Sequence, residues 1–136
     1  MELQLNNKLG RIYSLKSKIT IDSLFEEGSK ISSFPFTVFW KPVKMEEAVP
    51  FKFVISAPKR TFRFAYQRNR MKRITKEAVR LNKTMLERKL VEKEMQLAFF
   101  LIYSSKEEFS SDVLQKKIVK LFDKMIQQLD EKKNAH

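Results

Sequence analysis

Apolar positions recur along the chain in two rhythms, one of helix and one of strand. Ile21, Leu24 and Phe25 fall at i, i+3 and i+4, which predicts a short helix that packs this face into the core. Thr20 suits its N-cap, Asp22 its first turn and Gly28 its C′ position. From Ile31 to Val43 the period becomes two: Phe34, Phe36, Val38 and Trp40 alternate with Pro35, Thr37, Phe39 and Lys41. That reads as one strand, with Pro35 at its start or on an edge. Lys41–Pro50 reads as a connecting loop. Phe51–Ser56 is a second strand, with Phe51, Phe53 and Ile55 on one face, and Pro58 ends it.

A helical rhythm returns near Arg68. Met71, Ile74, Ala78, Leu81 and Met85 make one apolar stripe, and Asn69, Lys72, Arg73, Lys76, Arg80 and Lys83 fall on the opposite arc. Thr84–Glu94 favours helix and either extends this element or forms a turn. Gln96–Tyr103 is a continuous apolar run of strand length, as expected for a central strand buried on both faces. Ser110 as N-cap, Asp112 in the first turn and Phe109 as a staple to Leu114 open a last helix. Its core face is Leu114, Ile118, Leu121, Phe122, Met125 and Leu129. Residues 1–15 have weak periodicity and read as a flexible arm, and 130–136 as a polar tail. The 136 residues make a single domain, one mixed sheet with helices packed against it.

Charge changes this picture more than composition does. The formal net charge is +12, and Lys59–Lys83 holds ten cations (Lys59, Arg60, Arg63, Arg68, Arg70, Lys72, Arg73, Lys76, Arg80 and Lys83) against Glu77 alone. An ordinary solvated surface intersperses the two signs. A patch of this kind suits a phosphate backbone or an anionic membrane surface. Arg68 and Arg70 stand near the predicted helix start, where the macrodipole disfavours cations. The apolar stripe is needed for the core and no second membrane signal accompanies it, so nucleic acid is the expected partner and a membrane is not.

The inventory for catalysis is thin. The one histidine is His136, at the chain end, and there is no cysteine. Histidine acid–base chemistry, Ser-His and Cys-His nucleophiles and thiolate zinc sites therefore have no residues to use. With two glycines and no G-x-x-x-x-G-K-[ST] run, a phosphate-cradling loop is not expected. The acidic pairs Glu26–Glu27, Glu46–Glu47 and Glu107–Glu108 sit at predicted helix ends or in loops, where adjacent acids face water. No catalytic residue and no protein-held metal are assigned. With no signal-peptide pattern and no long apolar run, the expected location is cytoplasmic.

The stretch Arg68-Asn69-Arg70-Met71-Lys72-Arg73, followed by Lys76-Glu77-Ala78 and Arg80, resembles the R-N-R motif of the bacterial ribonuclease P protein component. Upstream, Ser56-Ala57-Pro58-Lys59-Arg60 resembles that family's S-x-S-K-K segment. Ile21-Asp22-Ser23-Leu24-Phe25-Glu26-Glu27-Gly28 resembles its F-x-x-(apolar)-F-x-x-G helix. The resemblance runs in order from about Leu15 to Leu129. It implies an α+β fold: a single-domain α/β sandwich with a mixed four-stranded sheet, three helices and a left-handed crossover at the R-N-R helix. It implies a ribonucleoprotein whose catalytic RNA subunit removes 5′ leaders from precursor tRNA with magnesium bound mainly by that RNA, and no obligate protein partner is evident.

Carried onto this sequence, the resemblance implies that Arg68, Asn69, Arg70, Lys72, Arg73, Lys76 and Arg80 contact the RNA subunit, with Lys59 and Arg60 beside them. It implies a leader cleft lined by Ile21, Phe25 and Phe39. Three departures stand out: Ile21 occupies an aromatic position, Lys76 replaces the usual Arg, and Thr61–Gln67 is longer and richer in aromatics. The alternative is a non-catalytic RNA-binding or ribosome-associated module of similar fold.

Overall fold

A computed structural model describes residues 10–134. Most of the expected arm, residues 1–9, and His136 lie outside the described residues. After a 3-10 turn at Arg11–Tyr13 come α1 (Lys18–Glu27), β1 (Ser29–Ser33), β2 (Phe36–Pro42), β3 (Phe51–Ser56), α2 (Ala65–Glu92), β4 (Leu97–Tyr103) and α3 (Ser111–Asn134). The strands form one mixed sheet in the order β1-β2-β4-β3. β1–β2 and β2–β4 are antiparallel, and β3–β4 is parallel. A parallel pair needs a crossover, and α2 is that crossover.

Three layers result. The sheet face carrying Phe36, Val38, Trp40, Phe51, Phe99 and Leu101 packs against α2 and α3 in the main core. All six expected core residues of α3 are buried there. The Trp40 indole Nε1 donates to Gln128 Oε1 at 3.1 Å, which satisfies the one polar atom of a fully buried ring. On the other sheet face a smaller cluster joins Leu15, Leu24 and Ala98 to Ile21, Phe39, Val43 and Phe100.

The structure departs from the sequence reading at several element ends. The Ile31–Val43 strand is a hairpin that turns at the cis Phe34–Pro35 peptide, with Ser33 paired to Phe36. The turn flips the phase of alternation. Ile31 and Ser33 are buried before it, Phe36, Val38 and Trp40 after it, and Phe34 is left outside. Helix α1 begins earlier, capped by the Ser17 side chain, which accepts from the Thr20 N–H at 3.3 Å, so neither Thr20 nor Asp22 plays its expected part. Gly28 follows the helix with φ −73°, an ordinary angle rather than a left-handed one. It is required for space: a Cβ there would lie 2.3 Å from the Leu24 carbonyl oxygen and 3.0 Å from that of Trp40.

Helix α2 starts at Ala65, three residues before the expected start, and runs unbroken through Thr84–Glu92. Its buried side is Met71, Thr75, Ala78, Val79, Leu86 and Leu90, rotated from the expected stripe, and Leu81 is left exposed. Strand β4 is interior to the sheet, but only its α2/α3 face is fully closed, since Phe100 and Ile102 are half-buried. The polar tail begins as helix: Asp130 lies within α3, 3.1 Å from Lys89 and 2.9 Å from Lys93.

Candidate nucleic-acid interface

The approach to α2 is a fixed loop. Both the backbone N–H and the hydroxyl of Thr61 donate to the Pro58 carbonyl, at 2.9 and 2.6 Å, so Lys59 and Arg60 ride exposed on a tight turn. Phe62 is buried, its ring 5.8 Å from that of Tyr103. Phe64 opens the helix, and its N–H donates to Gln67 Oε1 at 3.3 Å. Arg68 then lies in the first turn, where its Nη1 donates to the Phe62 carbonyl at 2.8 Å. That acceptor offsets part of the conflict between a cation and the helix N-terminus, since no acid stands in this turn.

Beyond Arg68 the helix presents Asn69, Arg70, Arg73 and Lys76 exposed on one arc. Arg70 approaches Glu108 only loosely, at 3.7 Å. Lys72 is half-buried. With Arg73 and Lys76 it lines a cavity of about 320 Å³ against Gly10, Ser14 and Val54. Arg80 is half-buried and grips Glu77, its Nε donating to Oε2 at 2.9 Å. That hydrogen bond holds the Glu77 carboxyl below its usual pKa and raises that of Arg80. Arg80 is thus partly neutralised within its own helix.

Lys83 does not belong to the exposed arc on which the sequence placed it. Both it and Glu87 are fully buried, with Nζ and Oε1 2.6 Å apart. Tyr13 closes the network, donating to Glu87 Oε2 and accepting from Lys83 Nζ, both at 3.1 Å. Burial raises the Tyr13 pKa, partly opposed by the Lys83 hydrogen bond. The network ties the segment before α1 to the middle of α2.

The aromatic residues lie on the opposite side of the sheet. Phe25 of α1, 46% exposed, sits 4.9 Å from the Phe39 ring and 4.9 Å from the Phe100 ring. Lys30 lies over the Phe39 ring at 5.9 Å. Cross-strand register sets Lys30, Phe39, Phe100 and Val54 in one row across the sheet. Lys41 holds α1 to β2 through Glu27 at 2.5 Å. Ile21 packs beside this cleft within the smaller cluster. The sequence reading missed Phe100, because a continuous apolar run hides which residues face which layer. Phe25 and Phe39, which it grouped together, are in ring contact, and they lie in a different layer from Arg68–Arg80.

Three comparisons bear on this arrangement. A family model described as Ribonuclease P matches residues 9–126. A ribonuclease P protein component of Porphyromonas gingivalis is 30% identical over 105 residues, covering 74% of this chain and 77% of that one. The solved ribonuclease P protein of Thermotoga maritima superposes with a TM-score of 0.66 at 19% identity, over 82% of this chain and 96% of that one. That of Staphylococcus aureus gives 0.63 at 17% identity, over 82% and 93%. The likeness to these structures is one of fold: three helices on a mixed four-stranded sheet.

Proposed function

From the premise that this chain belongs to the ribonuclease P protein family, we propose that its two surfaces divide the RNA between them. The chain is the protein subunit of the ribonucleoprotein that matures the 5′ end of tRNA, and it associates with the RNA subunit. In the proposed arrangement that RNA lies along Arg68, Asn69, Arg70, Lys72, Arg73, Lys76 and Arg80, with Lys59 and Arg60 at its edge. The 5′ leader of precursor tRNA enters the cleft of Ile21, Phe25, Phe39 and Phe100.

The observation that carries this reading is the exposed arc of α2. Asn69, Arg70, Arg73 and Lys76 stand in solvent while the other side of the same helix is committed to the core. Guanidinium groups make paired hydrogen bonds to phosphate oxygens, and each phosphate neutralised releases counterions. The cleft suits a single strand, because unstacked bases rest on aromatic rings whatever their sequence. Lys30 beside Phe39 adds a cation for the leader backbone.

In this reading magnesium serves the reaction on the RNA subunit. Among the described residues no group of three or more His, Cys, Asp or Glu is placed to hold a cation. In this reading the contribution of the chain is to bind and orient RNA. Among the described residues no helix is long and apolar enough to cross a membrane.

Precursor-tRNA cleavage with the cognate RNA subunit at low magnesium tests the proposal. The protein is expected to lower the magnesium requirement and tighten precursor binding, and a protein that does neither is no ribonuclease P subunit. Phe39→Ala is expected to weaken precursor tRNA by about 1–3 kcal/mol, the range for one stacked base, and to leave mature tRNA unaffected. Equal losses for both tRNAs would place the leader elsewhere.

A further inference from the structure

Two large rings at the start of α2 have no part in the core. Phe64 is 48% exposed and Tyr66 68%, yet they stack on each other with centroids 5.6 Å apart and planes 15° from parallel. The Arg63 guanidinium lies over the Phe64 ring at 5.3 Å. The backbone beneath the pair is fixed: the Phe64 carbonyl accepts from the N–H groups of Gln67 and Arg68 at 3.1 and 3.4 Å, and its own N–H is held by the Gln67 side chain. Phe62, two residues earlier, is buried by contrast, so the segment turns one ring inward and two outward. Tyr66 has no further ring or cation against it among the described residues.

The position of the pair indicates its occupant. Tyr66, Asn69, Arg70 and Arg73 follow at steps of three, four and seven, which is one face of a helix, and all four are exposed. Arg70 is about 6 Å further along the axis. A nucleotide whose phosphate meets Arg70 therefore has its base within reach of Tyr66. The leader cleft is in another layer, across the sheet, and cannot share this base. A base paired within a duplex has no free face, whereas loops, bulges and ends splay theirs out onto aromatic rings.

The geometry points to Phe64 and Tyr66 as a second stacking site, which takes one unpaired nucleotide of the RNA subunit at the end of the arc that grips its phosphates. This rests on the functional reading above and adds to it a contact that is not electrostatic. The phosphate contacts are sequence-tolerant and salt-sensitive, and the stacked base anchors their register and is insensitive to salt.

The test uses the full chain and its cognate RNA subunit. Tyr66→Leu and Phe64→Leu are each expected to weaken binding of that RNA about tenfold, within the range for a stacked base. The slope of log affinity against log salt stays that of the unaltered protein, and Tyr66→Phe keeps full affinity. A direct readout comes from Tyr66→Trp. The one native tryptophan, Trp40, is fully buried, so the new exposed indole is expected to be quenched when the RNA subunit alone is added. Unaltered affinity in both leucine variants overturns the site, and so does quenching that appears only when precursor tRNA joins the complex. If the unaltered protein binds the RNA subunit and Arg70→Ala weakens it while the ring variants do not, only this inference falls. If the unaltered protein does not bind that RNA, the functional reading falls and this site with it.

Discussion

Arg70 and Lys83 lie on one helix, fewer than four turns apart. Arg70 faces solvent with a loose acid at 3.7 Å, and Lys83 is fully buried with Glu87 at 2.6 Å. The difference persists along α2. Its first half holds Arg73 and Lys76 outward, whereas at its far end Lys89 and the C-cap residue Lys93 share Asp130 of α3. The first set of cations is available to a polyanion outside the protein. The second set is used to hold helices and the segment around Tyr13 together. A count of charge cannot separate the two populations; what separates them is whether the cation is packed against an acid in close contact or left in solvent.

The sharpest way to break this comparison is to remove one member of the buried pair. Lys83→Met strands the Glu87 carboxyl group in the core without its cation, and is expected to cost about 3–5 kcal/mol of stability in urea unfolding. Exchanging both residues for apolar ones of similar volume should restore most of that loss, because neither charge is then stranded. If Lys83→Met instead leaves stability intact and lowers the salt slope of RNA binding, Lys83 belongs with the exposed set and the division fails.

Arg70→Ala is the converse test and should act on binding alone. Loss of one phosphate contact is expected to lower the salt slope by about one unit. Stability should stay within about 0.5 kcal/mol, as for other exposed positions away from packed features. A large drop in stability with an unchanged slope would make Arg70 a structural cation.

The smallest effect is at Asp130. Its hydrogen bonds to Lys93 and Lys89 hold its carboxyl below the usual range. Because the folded pKa is depressed, its stabilising effect is present above the unfolded pKa and is lost as pH falls through the folded one. Asp130→Asn should therefore flatten the acid limb of a thermal-unfolding profile slightly and leave neutral-pH RNA binding unchanged. A loss of RNA binding at neutral pH would show that the two halves of α2 are coupled.

Much of the fold was legible because the strongest patterns agree with the structure. Phe51–Ser56 has the bounds expected of it, and α3 buries all six residues that its periodicity named. The errors cluster where a local pattern has two tertiary meanings. Unbroken alternation across Phe34–Pro35 looks like one strand, but the chain reverses there and the phase flips. The end of α2 carries no glycine, since Glu94 itself takes the left-handed φ of 52°, so nothing in the sequence marked the stop. For the candidate interface, the residue types of the arc and the pairing of Phe25 with Phe39 were readable. Phe100 was not, because its exposure depends on how much of one sheet face α1 leaves open.

By itself the sequence determined the element types, the concentration of cations between Lys59 and Lys83, the poverty of catalytic side chains and the family resemblance. These depend on residue type and near-neighbour spacing, which the chain carries locally. The tertiary structure alone decided which cations meet water, which of twelve phenylalanines open onto a cleft, and that Phe64 and Tyr66 stack outside the core. Those depend on partners far away in the chain. Glu87 is four residues from Lys83, but it is the packing of Tyr13 and the sheet over both that removes water and turns a helical charge pair into part of the core.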